Sequence, residues 1–194
     1  MEWRGTGVEA VLIRRYSVPF RDLRDQYLTE ADVDVRFSLI DRIDAIEPGE
    51  SVTALKTLSL AEEYLADHFP GFPVMPGVLM VESLVQAGAW LMRQTEEFRY
   101  SAVLLKEARA VRFNNFVSPG KTLRVECKVK ERDEKTYTLL GSGTVEGASA
   151  VSARLTLEQF NLADRDPSLA ASDERRIQKL RELFDALYHP KTAD

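Results

Sequence analysis

Cysteine is nearly absent from this 194-residue chain, which carries only Cys127. A single thiol cannot close an intramolecular disulfide. With only two histidines, His68 and His189, the chain also lacks the His/Cys spacing that holds a metal, and no metal site is expected. Such cysteine usage suits a reducing compartment, so a cytoplasmic location is expected. Positive charge is also in deficit. Lys and Arg number 26 against 31 Asp and Glu, a net charge of −5, which removes the global basic field on which nucleic-acid binding draws. There is no Walker loop and no Gly-x-Gly-x-x-Gly turn. Residues 1–16 have no long apolar core ending at a small-residue cleavage site, so no signal peptide is expected. One nearly apolar stretch, residues 74–92, approaches membrane-spanning length. Pro76, Gly77, Glu82, Gln86 and Gly88 interrupt it, and a carboxylate in mid-span is costly. A helix buried on all sides in a globular domain is the expected reading, with no membrane span.

What is present is an ordinary globular composition, 44% apolar and 29% charged, enough for one domain with a substantial core. The chain divides into an N-terminal extension (1–33), a domain (34–160) and a linker with a C-terminal helix (161–194). In the extension, residues 8–13 read as a short strand or docking segment and 20–27 as a helical turn. Val35, Phe37 and Leu39 alternate with polar residues, which is strand periodicity. After a Pro48-Gly49 turn, Val52, Ala54, Leu58 and Leu60 share the parity of a second strand, with Lys56 breaking the face. Residues 61–66 read as a short helix. Pro76 suits the first turn of a long helix running to Thr95. Four further strands follow: residues 102–113, then runs centred on Leu123–Val129, Tyr137–Gly143 and Val151–Leu157, separated by turns at 119–120, 132–135 and 146–147. One-faced strands argue for an antiparallel sheet. The fold class is therefore α+β, a curled antiparallel sheet wrapped around one long helix. In the tail, a polar linker (164–172) leads to Ile177, Leu180, Phe184 and Leu187 at helical spacing, with Asp173 and Glu174 at the favourable N-terminal end. Such an amphipathic helix rarely stands alone in water, so it should dock on the domain or on a partner subunit.

The densest local punctuation is His68-Phe69-Pro70-Gly71-Phe72-Pro73-Val74-Met75-Pro76-Gly77, which runs into an apolar helix carrying one carboxylate, Glu82. Histidine is the side chain best suited to act as a base near neutrality. By residue type alone a structural histidine with two hydrogen bonds is the favoured reading; the proline-locked loop, which removes conformational freedom a catalytic group must lose, brings His68 to an even balance between that and a base. Glu82 is the only charge between His68 and Arg93. Desolvation should raise its pKa and make it a proton donor, and a functional role is favoured over simple solvent reach. Gly77 alone reads as a turn glycine, although a glycine amide at a helix start can also face a developing oxyanion. Cys127, on the apolar face of a strand, reads as packing, and His189 as exposed and uninvolved. Ser83 lacks a nucleophile-elbow context.

The run HFPGFPVMPGVLMVESLVQ, residues 68–86, resembles the signature of the β-hydroxyacyl-acyl-carrier-protein dehydratases. Phe37 to Arg42, Ile46 to Gly49, Val111 to Phe113 and Val117 to Gly120 are similar to other parts of that family, and the resemblance spans about residues 35–160. It implies the hotdog fold and dehydration of β-hydroxyacyl thioesters. By the same resemblance, His68 and Glu82 are the catalytic pair, the glutamate being the form of the general, non-isomerising branch. The Gly77 amide polarises the thioester carbonyl, and the Val74 carbonyl orients the histidine. Phe72, Met75, Pro76, Val78, Leu79, Val85 and Gln86 are the expected substrate-tunnel positions. Phe72, Ser83 and Val85 depart from the commoner family residues, which leaves acyl-chain preference open.

The resemblance further implies a site shared across a homodimer, alone or within a trimer of dimers, with the carboxylate supplied by the other subunit. No cofactor is implied beyond the phosphopantetheine of the acyl carrier protein, the expected partner. That partner is acidic, so a local basic patch is expected to receive it. Arg93, Arg99, Lys106, Arg109 and Arg112 are candidates, and ordinary solvated surface reads as well for them. Two alternatives stand beside the dehydratase: a hotdog thioesterase or CoA-linked hydratase, and a non-catalytic acyl-binding subunit.

Overall fold

The computed structural model describes residues 37–69 and 71–190. The N-terminal extension, with the expected segments at 8–13 and 20–27, and Val35 lie outside the described residues.

Six strands form one antiparallel sheet: β1 (Arg42–Glu47), β2 (Ser51–Thr57), β3 (Ala102–Phe113), β4 (Thr122–Arg132), β5 (Thr136–Val145) and β6 (Ala148–Phe160). Their spatial order is β1-β2-β4-β5-β6-β3. The helix α1 (Gly77–Thr95) lies against the concave face, and α2 (Ala170–Leu187) closes one end. This is the expected α+β hotdog arrangement.

Strand alternation sets the inner face. Val52 and Ala54 of β2 stand opposite Cys127 and Val125 of β4, and all four are buried. Cys127 is packing, as expected: its thiol donates to the Leu84 carbonyl at 3.3 Å, and burial pushes it up to about 12. Leu84 and Leu91 of α1 are fully buried, each worth about 1.5–3 kcal/mol of apolar transfer. Two glycines let helix and sheet approach closely. A Cβ on Gly88 would lie 2.4 Å from Leu139 Cδ1, and one on Gly141 would lie 3.2 Å from Leu84 Cδ1. From Met80 to Met92 only Glu82 and Gln86 are less than fully buried.

Several expectations need correction. The first strand begins at Arg42, later than the Val35-Phe37-Leu39 alternation suggests. Leu39 and Ile40 are both buried in an irregular segment that enters the core directly. β2 ends at Thr57, and Leu60, expected on its apolar face, is 70% exposed. Lys56 does not break the face: it is buried because its ammonium finds two carboxylates, described below. Residues 61–66 hold only a 3-10 turn, Glu63–Leu65. Pro76 is the N-cap of α1 rather than a residue of its first turn.

The tail is more ordered than a polar linker. It forms 3-10 turns at Leu162–Asp164 and Pro167–Leu169, and α2 starts at Ala170. Asp173 lies in the first turn of α2, as expected, and does more than face the helix dipole. It is buried, accepting from Ser101 Oγ and from the amides of Leu162 (3.0 Å) and Ala163 (2.8 Å). α2 docks on the domain through Leu180, Phe184 and Leu187, with Phe184 against Trp90, Phe98 and Tyr188. Tyr188 and His189 then run beside Ile43, where the His189 amide donates to the Ile43 carbonyl at 3.1 Å. The tail thus covers part of the outer edge of β1. Among the described residues, the outer edge of β3 has no such cover.

Candidate active site

His68 sits on the loop between β2 and α1. The loop is anchored from below by Lys56, whose Nζ lies 2.6 Å from Glu62 Oε1 and 3.7 Å from Asp41 Oδ1. Asp41 also accepts from the Thr57 amide at 2.6 Å. A buried ammonium is tolerated only with such partners, so the pair fixes where the loop leaves the sheet. Further along, the Phe72 amide closes a turn onto the Phe69 carbonyl at 2.8 Å. Phe69 adopts φ +58°, the left-handed region that a bulky residue rarely enters. Its ring lies 4.3 Å from the His68 ring. A strained residue adjoining the candidate base is a feature common at functional sites.

The half-buried His68 ring is oriented by one bond, Nδ1 to the Val74 carbonyl at 2.9 Å. A carbonyl can only accept, so Nδ1 carries the proton. In the neutral ring Nε2 then carries the lone pair that a base requires.

Glu82 projects from α1 on the same face as Gln86, four residues on. Gln86 Nε2 donates to Glu82 Oε1 (2.9 Å) and to the Phe37 carbonyl (3.1 Å), while Gln86 Oε1 accepts the Leu39 amide (2.8 Å). Burial pushes the Glu82 carboxyl above the usual carboxylate range, and the Gln86 donor partly opposes that shift. The carboxyl is thereby disposed to hold a proton. Within one chain, no hydrogen bond among the described residues joins His68 to Glu82. The two belong to separate supports, the loop and the α1–37/39 bridge.

Gly77 is the first residue of α1, so its N–H has no helical carbonyl one turn earlier. The Phe113 ring lies over it: a Cβ on Gly77 would come within 2.9 Å of Phe113 Cε1. The expected tunnel residues fall into three groups. Met75 and Val85 are buried in the core. Phe72 and Val78 are exposed, Phe72 edge-on to Phe116 with ring centroids 5.7 Å apart. Pro76, Leu79 and Gln86 are half-buried. Gln86 has a further role, because its amide supports Glu82 and the backbone at 37 and 39. Phe69, Phe113 and Phe116 are also exposed. Phe113 lies over Gly77 and Phe116 against Phe72, so several of these exposed apolar side chains gather near the start of α1.

The basic residues do not act alike. Arg93 is half-buried: its guanidinium lies over Trp90, 5.0 Å from the ring centroid, and its Nε is shielded from solvent. Arg99, Lys106 and Arg109 are exposed beside Glu134 (3.9 Å), Glu158 (3.7 Å) and Glu107 (2.8 Å). Arg112 is exposed and, with Arg154, borders a shallow cleft on the outer face of the sheet.

Sequence reasoning missed Gln86 as the support of Glu82, Lys56 as the loop anchor, and the Phe113 and Phe116 rings. The spacing of Glu82 and Gln86, four apart on a helix, was the available signal for the first. Lys56 carried a signal as well, an odd charge at an inward position.

The FabA-like domain family matches residues 33–154. The 3-hydroxyacyl-[acyl-carrier-protein] dehydratase FabZ of Levilactobacillus brevis is 37% identical over 117 residues, 60% of this chain and 79% of that protein. The same enzyme from Clostridium kluyveri is 42% identical over 93 residues, 48% of this chain and 65% of that protein. Among solved structures, a chain of the dehydratase heterocomplex ApeI:P from Xenorhabdus doucetiae superposes with a TM-score of 0.57 at 22% identity, covering 75% of this chain and 96% of that one. That likeness bears on the fold alone. The match of the family over most of the folded domain, with relatives of this identity, places the chain in the FabA-like dehydratase family.

Proposed function

We propose that the protein dehydrates 3-hydroxyacyl thioesters carried on acyl carrier protein to trans-2-enoyl thioesters, as a step of fatty acid or related acyl-chain synthesis. The observation that carries this reading is the combination of a histidine whose Nε2 lone pair is free and a carboxyl raised by burial, on a chain similar to named dehydratases of that substrate class. A thioesterase or a non-catalytic acyl-binding subunit is not favoured.

In this reading His68 Nε2 removes the α-proton. The Cα–H electron pair becomes the Cα=Cβ bond as the β-carbon–oxygen bond breaks. Glu82 gives its proton to the departing hydroxyl, which leaves as water. The Gly77 amide stabilises charge that builds on the thioester oxygen. The chemistry calls for an acid, a base and a hydrogen-bond donor, and for no resident cofactor or metal; the phosphopantetheine arm comes with the substrate. Phe72, Val78 and Leu79 line the path of the acyl chain. Arg99, Lys106, Arg109 and Arg112 face the acidic carrier, and the enzyme works in the compartment that holds that carrier, the cytoplasm in this reading. Among the described residues, no helix is long and apolar enough to cross a membrane.

The working unit is a homodimer, alone or as part of a trimer of dimers. The uncovered edge of β3 and the exposed Phe69, Phe72, Val78, Phe113 and Phe116 support it. His68 then meets Glu82 of the partner subunit. Loss of the conjugated-enoyl absorbance when purified protein alone hydrates crotonyl-carrier tests the activity; no loss would overturn it. Mixing His68→Ala with Glu82→Gln subunits tests the shared site. Random exchange into dimers restores about a quarter of wild-type activity if each site draws on both chains. No recovery after verified exchange contradicts it.

A further inference from the structure

The sheet ends in two unlike edges. β3, twelve residues long, has no strand or bridge on its outer side among the described residues. β1, at the other end, is six residues long and is interrupted by a bulge between Ile43 and Ala45. The residue skipped there, Asp44, is buried, and its carboxylate accepts from Arg42 Nε at 2.7 Å and from Arg124 Nη1 at 3.2 Å. A short, bulged strand with a charge drawn against it is a poor template for another strand. The tail adds a further obstacle. Beyond α2, Tyr188 forms a parallel bridge with Ile43, and the His189 amide donates to the Ile43 carbonyl at 3.1 Å, which closes that acceptor to a second chain. Tyr188 is itself held in place. Its ring stacks on Phe184 with centroids 5.2 Å apart, and its amide donates to the Phe184 carbonyl at 2.8 Å. Pro190 follows at once and has no N–H with which to extend the pairing.

We propose that residues 188–190 guard the β1 edge against a second copy of this chain and so confine sheet pairing to β3. Pairing through β3 alone is two-fold and closes on itself. A second two-fold contact, through β1, lets each dimer add to the next without end. The guard therefore sets where assembly stops, and it lies in the tail, outside the residues 33–154 that match the family. The choice of β3 as the pairing edge rests on the dimer reading above; the cover on β1 does not.

The test compares the full chain with a chain ending at Leu187, by sedimentation velocity over a range of concentrations. The shortened chain keeps all of α2 with its buried Leu180, Phe184 and Leu187, so it retains a cooperative unfolding transition and unchanged dehydratase turnover per chain. The full chain holds one mass throughout. The shortened chain grows with concentration, to at least about twice the parent's weight-average mass. Adding Ala45→Lys, at an exposed position of β1, returns it to the parent's mass, because like charges meet when two such edges pair. If the truncation costs the fold, His189→Pro decides the matter. It removes the amide that caps the Ile43 carbonyl, and Tyr188 already has the extended backbone that a following proline demands, so mass growth is again expected. A monomeric full chain sinks the dimer reading instead, and the guard then shows as a shortened chain that dimerises. A folded variant with the parent's mass at every concentration, or growth that Ala45→Lys leaves untouched, overturns the proposal.

Discussion

Replacing Gln86 by leucine separates the support of Glu82 from its chemistry. Leucine is close in volume, so α1 keeps its packing while three hydrogen bonds vanish. The Phe37 carbonyl lies by an exposed residue, where water replaces the donor. The Leu39 amide belongs to a buried residue and loses its acceptor, a penalty of about 1–3 kcal/mol. For a chain of this size that corresponds to a Tm lower by roughly 3–10 °C. The effect on Glu82 has a definite sign. The Gln86 donor favours the charged carboxylate and lowers its pKa, so removing it leaves burial unopposed and the pKa climbs further. If Glu82 is the proton donor, its competent form then persists to higher pH. The alkaline limb of the kcat profile moves up, while the acid limb, which Gln86 does not touch, stays in place. The assay is steady-state dehydration of a 3-hydroxyacyl-carrier substrate across pH, with denaturation of the same variant. An unmoved or lowered alkaline limb would refute the assignment of Glu82 as acid. An unchanged Tm would refute the role of Gln86 as a bridge to the segment at 37–39.

Three further outcomes follow from the geometry. Glu82→Gln should gain stability over wild type as pH rises: a carboxyl with a raised folded pKa contributes fully below its unfolded value, and that contribution is lost as pH climbs through the folded one, so the gap between urea midpoints should widen from pH 5 to pH 8. Gly88→Ala sets a helix-propensity gain of about 1 kcal/mol against overpacking of about 1–3 kcal/mol. Its Cβ would lie 2.4 Å from Leu139 and 3.1 Å from Leu157, both fully buried, so overpacking wins and a stabilised variant in urea unfolding would contradict the close helix–sheet contact. Lys56→Met leaves Glu62 and Asp41 without their ammonium and should lower kcat through the His68 loop with KM little changed, whereas unaltered turnover would show that the loop needs no anchor.

The strands from β3 to β6 and the central helix were legible because binary alternation and a continuous apolar run are local signals. So was the punctuated loop with His68 and Glu82. The elements that escaped depend on contacts distant in sequence. Leu39 and Ile40 enter the core side by side because α1 meets them there through Gln86, 47 residues from Leu39. Lys56 reads as an error in a strand until Glu62 and Asp41 are placed beside it. Asp173 reads as a helix-dipole residue until Ser101, 72 residues away, is seen to bind it. Arg93 has the residue type of a docking patch, but only the fold reveals that it is half-buried.

The central claim is that His68 and Glu82 carry the dehydration together. The most direct measurement is turnover of a 3-hydroxyacyl-carrier substrate by His68→Ala and Glu82→Gln, each checked to be folded by its unfolding transition. The account predicts that both lose roughly a hundredfold or more in kcat, the scale of a general acid–base contribution. A folded variant of either residue turning over at a near wild-type rate would contradict it.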